Sequence, residues 1–270
     1  MTVESSVTYR VNDLYATIQG EGRMVGTPMI LLRLHGCSVG CTFCDTKESW
    51  ATGDAALPRC RATLAAARGT NDSWAELSAE ALAREVCLER ERSAPGTGWV
   101  LLTGGEPAEQ PIRPLVRALH ANGFRVALET SGTARGHLAD GADASVRVMD
   151  ETPADAGRHA ESVPHGGPSA ILRGSDCDFV CCSPKIDNPG GLPILSEVVR
   201  GADEIKMVIG RERDVERFGE FLREHAIGDM SRISLQPMSA SRKATELCVA
   251  AALRLGCRVS IQTHKVIGVR

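Results

Sequence analysis

Short apolar runs bounded by turn residues recur along the chain and predict strands at residues 29–34, 99–102, 124–128, 178–182, 204–209, 233–235 and 258–262. Between several of them the apolar spacing lengthens to a helical period. Ser78 caps a stretch running to about Arg90 with Leu82 and Val86 inward. Residues 111–121 bring Ile112, Leu115, Val116 and Leu119 onto one face, and Asn122-Gly123 stops them. Val215, Phe218, Phe221 and Leu222 mark a third helix; Leu247, Ala250, Ala251 and Leu255 mark a fourth. This alternation predicts an α/β fold on a mostly parallel sheet, with its site at the C-terminal ends of the strands. Two stretches break the rhythm. Residues 51–71 are rich in Ala, Arg and Gly, and residues 134–177 separate two strands by far more than a usual connection. Both read as surface insertions on one domain spanning 1–270. His137, His159 and His165 lie in the second, at spacings that fit no metal motif.

Composition narrows the function class. A net charge of −3 creates no broad field for nucleic acid or an acidic membrane, and the scarcity of aromatics argues against a base-stacking platform. No apolar run is long enough to span a bilayer, and Met1-Thr2-Val3-Glu4-Ser5 lacks a signal-peptide core, so a cytoplasmic location is expected. Ten cysteines in a chain of this length fit a reducing compartment rather than a disulfide scaffold. Seven of them, at 60, 87, 177, 181, 182, 248 and 257, are scattered and read as buried or incidental thiols.

The other three are not scattered. Cys37, Cys41 and Cys44 form C-x3-C-x2-C directly after the strand at 29–34, with Gly36 and Gly40 letting the backbone fold closely around a bound group. Three thiolates on one loop hold three corners of a cubane iron–sulfur cluster and leave the fourth iron open for chemistry. A structural zinc site with His35 as fourth ligand is the alternative from a different class: a binding protein without catalysis. Thr103-Gly104-Gly105-Glu106-Pro107 follows the next strand; its glycines admit close backbone approach, and Glu106 offers a carboxylate to an ammonium or hydroxyl.

Near the N-terminus lies Thr17-Ile18-Gln19-Gly20-Glu21-Gly22, and after the GGEP turn come Glu129-Thr130-Ser131-Gly132, Cys182-Ser183-Pro184-Lys185, Leu235-Gln236-Pro237-Met238-Ser239 and Ile261-Gln262-Thr263-His264-Lys265. Singly, these are a Gly-rich turn, strand ends and a polar edge. Together and in this order, with the cysteine loop and the GGEP turn, they resemble the 7-carboxy-7-deazaguanine synthases, radical S-adenosylmethionine (SAM) enzymes of the 7-deazapurine (queuosine) pathway. The resemblance runs from Leu14 to the C-terminus, the two insertions excepted.

The resemblance implies a partial, open TIM-like barrel of mostly parallel strands, a radical SAM core with surface insertions. It implies a [4Fe–4S] cluster on Cys37, Cys41 and Cys44. SAM would lie against Phe43-Cys44-Asp45, Gly105, Ser183-Pro184-Lys185 and Gln236-Pro237-Met238-Ser239, with Glu129 and Ser131 beside it. Lys185 would meet the SAM carboxylate. The pterin substrate would lie against Ile18-Gln19-Gly20, Arg33, Thr103 and the C-terminal carboxylate of Arg270, although the family's usual apolar ending is absent here. Thr46 would ligate Mg2+; from sequence alone it is equally a helix N-cap, while the alternative for Arg33 is a solvated strand end. The implied reaction converts 6-carboxy-5,6,7,8-tetrahydropterin to 7-carboxy-7-deazaguanine and ammonia. The implied partners are an electron donor such as flavodoxin or ferredoxin and a second subunit in a homodimer. Another small radical SAM enzyme, such as a glycyl-radical activase, is the rival within the class.

Overall fold

The computed structural model describes residues 7–50, 59–60, 74–134 and 176–269. Nearly all of both expected insertions, their three histidines, and Arg270 lie outside these residues.

The strands are β1 (Thr8–Ile18), β2 (Pro28–Leu34), β3 (Arg59–Cys60), β4 (Trp74–Ser78), β5 (Trp99–Gly104), β6 (Arg125–Thr130), β7 (Phe179–Cys182), β8 (Glu204–Ile209), β9 (Ile233–Pro237) and β10 (Arg258–Val259). They form one sheet in the order β10-β9-β8-β7-β6-β5-β2-β1-β4-β3. From β2 through β5 to β10 every neighbouring pair is parallel, whereas β1 is antiparallel to both β2 and β4. The helices are α1 (Ala79–Ser93), α2 (Ile112–Ala121), α3 (Ser196–Gly201), α4 (Glu212–Glu224), α5 (Arg242–Leu255) and α6 (Thr263–Ile267). Among the described residues no helix is long and apolar enough to cross a membrane.

Seven expected strands and four expected helices are present, with shifted ends. Ser78 caps α1 by accepting a hydrogen bond from the Ala81 N–H at 3.2 Å. In α5 the buried positions are Ala244, Cys248, Ala251 and Ala252, while Ala250 is exposed, so the inner face is rotated from the expected one. Small side chains on that face let the helix lie close to the sheet. β10 stops at Val259 rather than 262: Ser260 N–H still reaches the Leu235 carbonyl at 2.9 Å, but beyond it the chain leaves β9 for the loop after β1, where Thr263 N–H donates to Gly20. β1 was not expected. Its alternation is broken by a bulge between Val11 and Asp13, which places Asn12 in the interior.

The two faces of the sheet differ. Ile30, Leu32 and Leu34 of β2, Val100 and Leu102 of β5, Val126 and Leu128 of β6, and Ile205 and Ile209 of β8 point to the helices and form the main core. Alternate residues face the concave side, where Met29, Leu31, Leu101 and Ala127 make a small apolar cluster. Beyond that cluster, toward the strands' C-terminal ends, the same faces carry Arg33, Thr103, Glu129 and Gln236. The chain after β1 crosses the open side of the sheet instead of pairing with β10. Thr263 N–H donates to the Gly20 carbonyl at 2.9 Å and Arg23 N–H to Glu204 at 2.9 Å. The barrel is therefore open as a sheet and bridged by a loop.

Candidate active site

The polar half of the concave face is a cavity of about 380 Å3. It gathers the cysteine loop, the GGEP turn, and the loops after β1, β6, β7, β9 and β10, which lie far apart in sequence.

The cysteine loop is anchored at both ends. His35 N–H donates to the Arg10 carbonyl at 2.8 Å, Gly36 N–H to the Ser49 carbonyl at 2.8 Å, and Gly190 N–H to the Val39 carbonyl at 3.0 Å. Cys37, Cys41 and Cys44 all line the cavity. Burial pushes the Cys37 thiol up to about 11, against the backbone N–H groups of Val39 and Gly40, and burial raises Cys41 as well. A bound metal cluster supplies the positive charge that turns such thiols into thiolates. Cys44 already faces donors: the Trp50 indole N–H at 3.3 Å and the Thr46 backbone N–H at 3.4 Å.

His35 does not complete a zinc site. It is buried, with Nδ1 2.8 Å from Asn12 Oδ1 and its ring stacked on Trp74 at 5.7 Å. Among the described residues, no three His, Cys, Asp or Glu side chains converge as a single metal ion requires. The irons of a cubane are spread over a larger body, so its thiolates need not converge. The donor set fits three corners of a [4Fe–4S] cluster, and the other described cysteines lie elsewhere: Cys181, Cys182 and Cys248 are buried, and Cys87, Cys177 and Cys257 partly so.

The GGEP turn works differently from the expectation. Gly105 faces the cavity, and a Cβ there would sit 2.1 Å from the Gly36 carbonyl oxygen, so the turn and the cysteine loop touch through bare backbone. Glu106 is not a carboxylate waiting for a ligand. It is fully buried and accepts from Ala108 N–H (2.9 Å), Thr130 hydroxyl (2.7 Å) and Ser131 N–H (2.6 Å). Burial raises its pKa against these donors. Its work is to bind the end of β5 to the end of β6, which sets Ser131 at the cavity wall.

Ser183 and Lys185 line the cavity, but Pro184 between them is buried behind the wall. Lys185 Nζ donates to the Ser183 carbonyl (2.8 Å) and hydroxyl (2.6 Å) and stands 6.0 Å above the ring of Phe43. Asp45, Gln236, Pro237, Met238 and Ser239 are also in the wall. Thr46 is there too. It precedes the turn Lys47–Ser49 without a side-chain cap bond, so the N-cap role is not the one it plays.

Arg33 is no solvated strand end: its side chain is 15% exposed, and its Nε donates to Asp13 at 2.9 Å across the β1–β2 pair. Thr103, on the paired position of β5, is beside it. Ile18, Gln19 and Gly20 reach the cavity from β1. Because Ile18 pairs with Pro28, they enter from the N-terminal side of the parallel strands rather than from the rim. Gly20 is held so close to His264 that a Cβ would meet Nδ1 at 2.1 Å.

One feature of the cavity was missed from sequence. Lys206, buried on the inner face of β8, bonds Glu21 at 2.5 Å and Glu129 at 3.3 Å. Gln19 donates to Glu129 at 3.1 Å and Gln262 to Glu21 at 2.7 Å. Burial alone would lower the ammonium's pKa, but Glu129 and Glu21 outweigh it and hold the lysine protonated. Burial would raise Glu21, yet the Lys206 charge and hydrogen bond bring it down to about 2. The available signal was a charged residue inside the strand pattern of 204–209, on the same face as Glu204. Trp50 was also missed and had no signal of its own.

What the fold leaves unspent is a set of three thiols at the edge of a polar cavity on an open, mostly parallel α/β sheet, and that combination defines a radical SAM enzyme. Comparison with known proteins narrows the class. No family model matches the chain. The 7-carboxy-7-deazaguanine synthase of Escherichia coli K12 is 32% identical over 261 residues, covering 97% of this chain and 99% of the relative. Synthases of the same name from Caulobacter vibrioides and Bordetella pertussis are 27% and 28% identical, each over 97% of this chain. The crystal structure of QueE from Escherichia coli matches with a TM-score of 0.69 and 31% identity, covering 94% of each chain. The chain belongs to the 7-carboxy-7-deazaguanine synthase family, which sets aside the glycyl-radical activase and zinc-protein alternatives.

Proposed function

We propose that this enzyme converts 6-carboxy-5,6,7,8-tetrahydropterin to 7-carboxy-7-deazaguanine and ammonia for 7-deazapurine (queuosine) biosynthesis. The observation that carries this reading is the polarity of one cavity, with three thiols at one side and Arg33, Thr103 and a buried lysine–carboxylate group around the rest. When bound, the cluster and SAM supply a deoxyadenosyl radical; the protein contributes position and the exclusion of water. Cys37, Cys41 and Cys44 hold the cluster. Lys185, pre-set by its two bonds to Ser183, meets the SAM carboxylate as a point charge. Gly105 and Ser131 offer backbone and hydroxyl groups to the SAM amino acid moiety, and Phe43, Asp45 and the segment Gln236-Pro237-Met238-Ser239 enclose the nucleoside. Pro184 acts only by shaping the wall.

Arg33, fixed through Nε by Asp13, presents its guanidinium to the substrate carboxylate. Ile18, Gln19, Gly20 and Thr103 border the pterin ring. Glu129, bonded to Gln19 and Lys206, belongs with this substrate-side group more than with SAM. Thr46, its hydroxyl free of a capping bond, supplies one oxygen to Mg2+, which keeps water and substrate oxygens in its remaining positions. A single domain with two insertions, a cytoplasmic setting, a flavodoxin- or ferredoxin-type electron donor and a homodimer complete the reading, as does an Arg270 carboxylate reaching the substrate. The test is anaerobic incubation of reconstituted protein with the pterin, SAM, Mg2+ and reductant. Formation of the ring-contracted product is expected; its absence removes the substrate assignment.

A further inference from the structure

Cys44 differs from the other two cluster cysteines in the company its sulfur keeps. Trp50 closes the short turn after the cysteine loop, donating its backbone N–H to the Lys47 carbonyl at 3.1 Å. That turn swings the indole back so that Nε1 lies 3.3 Å from Cys44 Sγ, at the cavity wall. The Lys47 ammonium stands over the ring, 5.6 Å from its centroid. The Thr46 backbone N–H, at 3.4 Å, is a second donor to the same sulfur, and the Thr46 hydroxyl lies 3.6 Å from it. An indole N–H has no acceptor role and only one direction to donate. Set against Cys44 Sγ, that single bond goes to the sulfur.

Hydrogen bonds to the sulfurs and exclusion of solvent are two of the means by which a protein sets a cluster's reduction potential. We infer that Trp50 tunes the potential of the cluster held by Cys44, donating its indole N–H to the Cys44 sulfur and so favouring the reduced state. One electron added to the cluster raises the negative charge on its sulfurs, and the N–H bond strengthens with that charge. The inference rests on the reading that Cys44 is a cluster ligand. It makes Trp50 a positioning residue that acts through the Cys44 sulfur.

The test is a reductive titration of the anaerobically reconstituted full chain with dithionite and mediator dyes, following the EPR signal of the reduced cluster. Trp50→Phe keeps an aromatic ring and removes the N–H. Reduction is expected to become about tenfold less favourable, which for a one-electron couple is a midpoint about 59 mV more negative. Trp50→benzothienylalanine keeps the full two-ring shape without the N–H and is expected to shift by the same amount. It also covers the case in which the smaller ring lets the loop collapse. Trp99→Phe, at the start of β5, serves as a control with an expected unchanged midpoint.

An unchanged midpoint in both Trp50 variants overturns the inference while leaving the cluster assignment intact. A shift in Trp50→Phe without one in the benzothienyl variant also overturns it, because ring packing and not the hydrogen bond would then be the cause. A wild-type chain that shows no [4Fe–4S] signal after reconstitution overturns the Cys44 reading, and this inference with it.

Discussion

Replacing Lys206 with methionine removes one charge from a site that holds three. The ammonium is 4% exposed and sits between the carboxylates of Glu21 and Glu129, whose side chains are 17% and 25% exposed. Methionine fills similar volume, so the expected loss is electrostatic: two carboxylates confined without their counter-ion. Breaking a buried pair in this way costs about 3–5 kcal/mol. For a domain of this size, about 4 kcal/mol lowers Tm by roughly 8–16 °C.

The pH dependence supplies a sharper signature. The folded pKa of Glu21 is depressed to about 2 from an ordinary 4.5, so its contribution is fully present above 4.5 and is lost as pH falls through 2. That depression corresponds to about 3 kcal/mol at neutral pH. Lys206→Met abolishes the depression, so the gap between wild type and variant is widest at pH 7 and narrows toward pH 3. Adding Glu21→Gln to the variant recovers part of the loss. Urea denaturation of the metal-free protein across this range is the assay. A gap below about 1 kcal/mol at pH 7, or one independent of pH, would refute the argument that this lysine is a buried counter-ion.

Cys44→Ala, like Cys37→Ala and Cys41→Ala, is expected to fold but to bind iron without the brown cubane chromophore, checked by visible absorbance after anaerobic reconstitution. Gly105→Ala forces a Cβ to within 2.1 Å of the Gly36 oxygen and 2.8 Å of Cys37 Cβ, so cluster occupancy falls and about 1–3 kcal/mol of stability is lost by overpacking; iron content and thermal melting report both. Glu106→Gln puts an amide N–H where Ser131 N–H or Thr130 now donates, and chemical denaturation should register a loss of about 1–3 kcal/mol. Arg33→Lys loses the planar fork and the Asp13 bond, raising KM for the pterin about tenfold or more with a smaller change in kcat, read from steady-state kinetics.

The parts of this site that could be read from sequence are those whose residues are neighbours along the chain. The cysteine loop, the GGEP turn and Ser183-Pro184-Lys185 each follow a strand rich in apolar residues, and the strand pattern alone puts them at one end of the sheet. What could not be read depends on long-range contacts. Lys206 meets Glu129 across 77 residues through the sheet and Glu21 across 185 through the crossing of the loop after β1. Strand β1 itself was hidden by the bulge at Asn12, which inserts a polar residue into the core face. That same bulge supplies the partner of His35, so a histidine two residues from Cys37 turns away from the metal loop. Glu106 misled because a carboxylate beside glycines has the same local sequence whether it faces a ligand or knits two strand ends together.

On the proposed reading, three thiolates leave one iron of the cluster open to SAM. EPR of the reduced, reconstituted protein before and after adding SAM labelled with 17O or 15N in its amino acid moiety tests it most directly. A changed cluster signal and hyperfine coupling from the labelled atoms to the cluster are expected. A signal indifferent to saturating SAM, or coupling to a protein imidazole or a fourth thiolate at that iron, would contradict it.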